Sequence, residues 1–490
     1  MHSTPSLQSI YLVSHPTVPE LHPEPRHIFR LWQTFVDGIN PLLKVIHVPT
    51  LQQRITDASW DLAGASRSLT ALMFAIYTLS VTSMSPIDCE TSFGETRTSL
   101  LTRYRVATLR ALVAAEYLTT REIEVLQALV LFLFADPDSD LSFTLTGVVV
   151  RLGQRMGLHK ECTDPNITFF EKEMRVRLWW QLCGIDARIR SGLIRPPPSE
   201  LGDVRPPLNI NDADLHPDMT EPPIEHKGPT EMMCVLMKYE VTIWLRSSAK
   251  GSRTFQDIFR DETINEIQSE YHEKYLRHCD MRIPLHNITY AVANLALSQL
   301  RFHIHHPRGR VTSSSSEVYI TSTESDLLFN SALTALEMFN MGIQSKFSQH
   351  LFTHLTSKLH LDTHIYVISE LRQRCSGDRV ALAWKMVGNL YASHPELIHV
   401  ADNSFFLALG DLTLEAWEAR RMELVRSQGV RESDITPSFI QSLWERRQSR
   451  NLEAIQASTM SDLRGFDSLG FADDNGFNWE QWNWNEFLQL

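Results

Sequence analysis

The sequence has no long apolar run. The longest, Ala128 to Ala135, is eight residues, against the roughly 20 that a helix needs to cross a bilayer, so no membrane partner is expected. The N-terminus has no basic stretch before an apolar core, only the short Ile10–Val13, so no secretory leader is expected. Cysteine is scarce. Of the six, the nearest pair is Cys162 and Cys183, far from the close spacing of a zinc site, and a disulfide framework is not expected without a leader. Glycine is scarce too, at 20 residues, and turn clusters do not recur at hairpin spacing, which argues against a β-architecture. No phosphate-binding Walker loop, dinucleotide glycine fingerprint or Gly-x-Ser-x-Gly elbow occurs. Basic charge is also short. Lys and Arg number 46 against 58 Asp and Glu, a net charge of −12, which argues against nucleic-acid binding by bulk charge.

What is present is helical pattern. Apolar residues make 43% of the 490, enough for a sizeable core, and a length-based prior gives roughly three domains. Ile28, Trp32, Phe35, Val36 and Ile39 share one helix face, and Asn40-Pro41 ends it. Thr50-x-x-Gln53, Thr119-x-x-Glu122 and Thr168-x-x-Glu171 read as capping boxes. Further helices are predicted at about 69–83, 95–117, 141–158, 169–191, 230–247, 255–279, 285–303, 323–346, 361–374, 379–392, 404–427 and 436–456. The helix after Thr119 becomes apolar all round at Leu129–Phe134, which places it mid-core. The expectation is an all-α fold, a large multi-helix bundle or array with a disordered acidic-aromatic C-terminal tail. No fixed-period repeat is present.

Residues 1–21 read as an N-terminal linker and 22–455 as the helical domain. Arg195 to Pro229 holds nine of the 23 prolines. It is either an irregular surface crossing or a linker joining two helical halves. The tail, 456–490, changes character. From Ser461 on it has six acids against one arginine, with seven aromatics among them. Phe477, Trp479, Trp482, Trp484, Phe487 and Leu488 are its candidate contact residues. Acids keep such rings solvated until a partner groove buries them, the pattern of an activation segment. The alternative is a tail that docks on its own helical domain.

Candidate chemistry elsewhere is thin. Asp136-x-Asp138-x-Asp140 opens like a calcium loop but has Leu141 and Gly147 where a glycine and a glutamate belong; Asp140 reads more simply as a helix cap. His350/His354 and His360/His364 have the i,i+4 spacing of zinc ligands without the adjacent glutamate. His303, His305 and His306 read as helix-end residues, and Asp186 with Arg188 is not singled out as an acid–base pair. Arg151, Arg155 and His159 fall on one helix face at spacing four; such a face either salt-bridges an acidic helix or receives an anionic ligand. Trp179 and Trp180 read as core residues, with a ligand pocket between helices as the alternative. Arg446, Arg447 and Arg450 are too sparse for a nuclear-localisation run.

Several stretches in order resemble one family. They are His22-Pro-Glu-Pro-Arg-His-Ile-Phe-Arg-Leu-Trp32 through Asn40-Pro-Leu-Leu-Lys-Val-Ile-His-Val-Pro-Thr50, Phe93-Gly-Glu-Thr-Arg97 through Arg103-Tyr-Arg-Val-Ala107, Arg151-Leu-Gly-Gln-Arg-Met-Gly-Leu-His159, Glu173-Met-Arg-Val-Arg-Leu-Trp-Trp-Gln181 with Asp186-Ala-Arg188, Cys279-Asp-Met-Arg-Ile-Pro-Leu-His286 and His394-Pro-Glu396. Together they are similar to the regulatory domain, or middle homology region, of fungal zinc binuclear-cluster transcription factors. The resemblance implies a nuclear transcription regulator of a secondary-metabolite gene cluster, and no enzyme. It implies coactivator machinery as a partner, and homo- or heterodimers. The family reads DNA through six closely spaced cysteines holding two zinc ions. That pattern does not occur in the 490 residues, so no cofactor is expected in this chain. DNA contact is expected through an N-terminal module missing here or through a partner protein. The alternative function is a ligand- or partner-binding modulator of a full-length relative.

Overall fold

A computed structural model of the protein describes residues 18–137, 139–191, 202, 204–248, 261–306, 321–347, 360–400, 403–428 and 436–462. Every regular element among them is a helix, as the sequence pattern predicts. The chain forms two compact units, Met1–Ala293 with Met341–Ser357, and Asn294–Asn340 with Lys358–Leu490. The division does not fall in the proline-rich stretch 195–229, whose described residues belong to the first unit.

The first unit is built around α4 (Arg67–Ser83), buried from Ser68 to Thr82. Packed on it are α1 (Pro25–Gly38), α6 (Arg97–Ala114) and α7 (Ile123–Ala135). Its hydroxyls are satisfied inside the core. Ser80 donates to the Leu31 carbonyl at 2.9 Å, and the Thr78 and Thr108 hydroxyls meet at 2.9 Å. Ser66 caps the N-terminus of α4, accepting from the Leu69 N–H. At the other end the Arg97 guanidinium donates to the Val81 and Thr82 carbonyls at 3.3 and 2.7 Å. A cation there suits both the orphan carbonyls and the helix dipole. The short helices α2 (Asn40–Leu43), α3 (Val48–Trp60) and α5 (Pro86–Phe93) connect these elements.

α8 (Asp140–Arg155) and α9 (Phe169–Ser191) pack together beside α7. Gly153 makes their close approach feasible, because a Cβ there would lie 3.0 Å from Trp179 Cζ3 and 3.2 Å from Leu182 Cδ1. α10 (Met233–Ser248), α11 (Asp261–Lys274) and the start of α12 (Pro284–His305) complete the unit.

The caps correct part of the sequence reading. Thr168 holds its expected place, accepting from the Glu171 N–H at 3.2 Å. α3 starts earlier than Thr50 suggested. Its cap is the His47 ring, which accepts from the Thr50 N–H, and Pro49 suits the first turn. α7 begins at Ile123 with no side-chain cap, and Thr120 rather than Thr119 bonds the backbone there, at Glu122. α8 is capped by Ser139, not by Asp140, which sits in the first turn. Asp136 pairs with Arg105, Asp138 lies outside the described residues, and no metal-binding group of side chains occurs among the described residues.

The second unit has its own core. α13 (Ser322–Ile343), α14 (His360–Glu370), α15 (Asp378–Ser393), α17 (Ser404–Gln428) and α18 (Ser438–Asp462) share one core with Trp384, Trp417 and Tyr391, to which α16 (Glu396–His399) adds Leu397. The Trp384 and Trp417 rings meet edge to face at 5.1 Å. Arg446 donates to the Leu397 and Phe406 carbonyls at 2.7 and 3.1 Å, while Arg447 and Arg450 face Asp411. Arg446 therefore ties α18 to α16 and the start of α17, and Arg447 and Arg450 tie it to the body of α17. His306 packs among the Phe302 and Tyr366 rings, His364 is buried, and His350 and His354 lie outside the described residues.

One half-buried histidine is expected to make the fold pH-sensitive. The His22 ring lies 4.3 Å from the Phe74 ring, with Nδ1 3.2 Å from the Tyr77 hydroxyl and Nε2 enclosed without a partner. Burial lowers its pKa from 6.5 to about 4. Between those values the unfolded chain holds the proton and the folded chain does not, so stability falls as pH falls. We expect the melting temperature to drop as pH is lowered from 6.5 to 4. His22→Gln should make that slope shallower in differential scanning fluorimetry.

Candidate functional site

The tail residues Phe477, Trp479, Trp482, Trp484, Phe487 and Leu488 lie outside the described residues. The other five candidates do not form one site. α8 ends at Arg155, and Gly157 turns the chain with a positive φ of 77°. His159 therefore leaves the helix face, and its ring lies 6.0 Å from the Trp179 ring. Arg151 and Arg155 are both exposed, and Arg155 donates to the Thr120 carbonyl at 2.7 Å and to the Leu118 carbonyl at 3.4 Å. Trp179 and Trp180 are both buried. The Trp180 indole donates to the Arg205 carbonyl at 2.6 Å and its ring lies 5.2 Å from Tyr239, so the pair packs core. Asp186 is buried on the same helix; the Arg188 side chain lies outside the description.

What the sequence reading missed is a buried ionic cluster. Lys44, Arg177, Glu173 and Asp212 are all nearly inaccessible to solvent. Each Asp212 oxygen takes a different cation, with Oδ2 2.8 Å from Lys44 Nζ and Oδ1 2.8 Å from Arg177 Nη1. Lys44 also bonds Glu231 at 2.7 Å, Arg177 faces Glu173 one helical turn back at 3.5 Å, and Glu173 pairs with Arg205 at 2.8 Å. The cluster balances three cations against three carboxylates. His47 closes it, with Nε2 2.9 Å from the Asp212 carbonyl. Burial opposes the charge on Asp212, but Lys44 and Arg177 outweigh it and hold the carboxyl below its usual range. The only signal in the sequence was on α9. Glu173, Arg177 and Gln181 follow at spacing four on a helix whose other residues are largely apolar, so a polar stripe had to be buried. Asp212 itself sits in a proline-rich run that reads as loop.

The cluster pins residues 204–231 against α2 and α9, and Val204, Ile210 and Leu215 are buried with it. This places Pro206, Pro207, Asn209 and Glu225–Lys227 opposite Leu236, Glu240 and Ile243 of α10. Glu270 to Arg277, on α11 and just beyond it, form the third wall of an open cleft of about 700 Å³, a size suited to a small organic molecule. Its central acid is Glu240. Oε1 accepts from the Tyr275 hydroxyl at 2.9 Å and from Lys274 at 3.2 Å, while Oε2 is enclosed without a donor. Burial raises the Glu240 carboxyl, and Lys274 opposes the rise. None of Arg151, Arg155, His159, Trp179 and Trp180 lines this cleft. Its lining combines apolar Pro206, Pro207, Leu236 and Ile243 with paired charges.

Residues 32–239 match the model of the fungal specific transcription factor domain. This stretch contains the whole ionic cluster. The chain is similar to the aurofusarin cluster transcription factor aurR2 of Gibberella zeae, at 31% identity over 94% of this chain and 70% of that protein. It is similar to the pyriculol/pyriculariol biosynthesis cluster transcription factor 1 of Pyricularia oryzae, at 31% identity over 86% of this chain and 58% of that one. It is also similar to the transcriptional regulator AacuB of Aspergillus aculeatus, at 32% identity over 86% and 58%. The chain thus spans under three fifths of the length of the latter two.

Asp212→Ala should leave Lys44 and Arg177 buried without their shared carboxylate. The expected cost is about 3–5 kcal/mol, read as a lower urea midpoint for the first unit. The Asp212 contribution is fully present above its unfolded pKa, near 3.8, and is lost as pH falls through the depressed folded value. The variant should accordingly lose less stability than the parent on acidification below that point. An unchanged midpoint would remove the cluster from its structural role.

Proposed function

The chain belongs to the fungal-specific transcription factor family, and from that premise we propose that it controls a secondary-metabolite biosynthetic gene cluster in the nucleus. It is a regulator of transcription. The observation that carries the finer reading is the similarity to aurR2 across 94% of this chain, with two further relatives of which one is also named for a biosynthetic cluster. The chain acts by binding and not by catalysis. DNA contact comes from a six-cysteine module or from a partner protein, since the six cysteines here are too widely spaced to hold two zinc ions. Coactivator machinery is engaged by the acidic-aromatic segment 456–490.

The activation role is tested by fusing residues 456–490 to a heterologous DNA-binding domain. A reporter should respond, and replacing Trp479, Trp482 and Phe487 together by alanine should remove at least about 90% of the response, because a few aromatic anchors dominate such contacts. Silence of the expressed fusion would sink the activation role.

A second reading, a ligand-responsive modulator, is favoured by the cleft around Glu240. In that reading the effector shifts the regulator between two states by differential binding. Glu240→Ala should then change the transcript level of the controlled genes by about fivefold or more with unchanged protein abundance. Unaltered transcripts would discard it.

A further inference from the structure

The cleft framed by residues 204–231, α10 and α11 lies wholly in the first unit, and its lining narrows what it can hold. On α10, Leu236, Glu240 and Ile243 line it at spacings of four and three, so one helix face carries an acid between two apolar residues. That face is about 10 Å long at 1.5 Å per residue. Pro206 and Pro207 give the facing wall an apolar surface of its own. A molecule lying between the two walls gains most if its body is apolar.

The charges of the lining are unequal. Glu225, Glu240, Glu270 and Glu273 stand against Lys227, Lys274 and Arg277. The cations on the wall of α11 and the turn beyond it are already taken. Lys274 is shared between Glu240, at 3.2 Å, and Glu270, while Arg277 pairs with Glu273. His226 is bonded to Asp214 at 2.8 Å. Lys274 thus serves two carboxylates with one charge.

The groups at the centre register that excess. Tyr275 is buried, with its hydroxyl 2.9 Å from Glu240 Oε1. Burial raises its pKa, and Glu240, Glu270 and Glu225, one from each wall, raise it further. Burial opposes the charge on Lys274, yet Glu270 and Glu240 outweigh it and raise the lysine's pKa. The cleft therefore favours positive charge. A bound anion would have to draw Lys274 or Arg277 off its carboxylate and leave that carboxylate beside it. A neutral molecule would leave the excess as it stands, whereas a cation reduces it.

Resting on the reading of this cleft as an effector site, we propose that it takes a small organic amine. The ammonium lies among Glu225, Glu240 and Glu270, and the apolar body lies between Pro206–Pro207 and the Leu236–Ile243 face of α10.

The test is isothermal titration calorimetry on the full chain with probes that share an indole body: tryptamine, an amine; tryptophol, its alcohol; and indolepropionic acid, its carboxylate. Tryptamine should bind about tenfold or more tighter than tryptophol, with a smaller margin at high salt. The carboxylate should bind weakest. N-acetyl-lysine amide, an amine without the ring, should bind more weakly than tryptamine. Glu240→Gln keeps the side-chain shape and an acceptor for Tyr275. It should weaken tryptamine about tenfold and change tryptophol by less than about twofold. Lys274→Met removes the competing cation and should tighten tryptamine about threefold or more, a gain that unfolding cannot produce. Tryptamine binding no tighter than tryptophol, indifference to Glu240→Gln, or weakening by Lys274→Met overturns the proposal. So does tighter binding of the carboxylate, or equal binding of N-acetyl-lysine amide, which would leave the apolar body without a site. Transcripts judge the effector reading separately. If Glu240→Ala alters them but tryptamine shows no preference, the effector reading stands and the amine falls. If tryptamine binds as expected but Glu240→Ala leaves transcripts unchanged, the cleft is an amine site and the effector reading falls.

Discussion

Asp212 is the constraint on which the irregular half of the first unit depends. Its two oxygens are held by cations from two helices, Lys44 at the end of α2 and Arg177 on α9. Both cations are buried, so neither can turn to water if the carboxylate moves. Lys44 also sits in the left-handed region, with φ of 50°, a conformation that costs a non-glycine residue about 1 kcal/mol or more. Its ammonium's bonds to Asp212 and Glu231 hold it there. An apolar trio of the same volume could stabilise as much. What the charges add is a single register for residues 204–231, since only one placement gives each cation its partner.

That register has a functional consequence. The proline-rich segment could have been a tether between helical halves. Instead it forms one wall of the cleft, and the peptide groups flanking Asp212 carry its side chains there. Asn209 holds the segment's return, donating to the His226 and Gly228 carbonyls at 2.8 and 2.9 Å. The same α9 that carries Arg177 also carries the Trp179–Trp180 packing face, so the cleft wall and the core are fixed to one helix.

Much of this fold was legible before the coordinates. α9 runs over the residues that its pattern predicts, and the all-apolar stretch of α7 is buried as expected. Helix periodicity survives in the sequence because each face meets one environment. The caps were less legible. Two neighbouring residues can each offer a hydroxyl within one loop, and packing chooses between them, as with Thr119 and Thr120. His47 was invisible as a cap because imidazole capping has no propensity signal, and its second bond runs to Asp212 across 165 residues. The ionic cluster was half legible. The Glu173–Arg177–Gln181 stripe announces buried polarity on α9, but no local rule says which distant carboxylate answers it. Arg151 and Arg155 of α8 looked equivalent in sequence and are not, because only Arg155 reaches the carbonyls of Leu118 and Thr120, and Gly157 ends the helix before His159 can join them.

The arginines divide by what they are offered. Arg97, Arg155, Arg420 and Arg446 donate to backbone carbonyls at 2.6–3.4 Å, mostly where helices begin or end. The planar guanidinium can serve two such acceptors at once, which lysine cannot do with the same geometry. Arg177 is taken by the buried carboxylates. Arg54, Arg103 and Arg105 instead face carboxylates near the surface, Glu124, Glu95 and Asp136, where water and salt screen the pair and its contribution is small; the guanidiniums that fix the fold are therefore those turned to backbone carbonyls and to the buried acids.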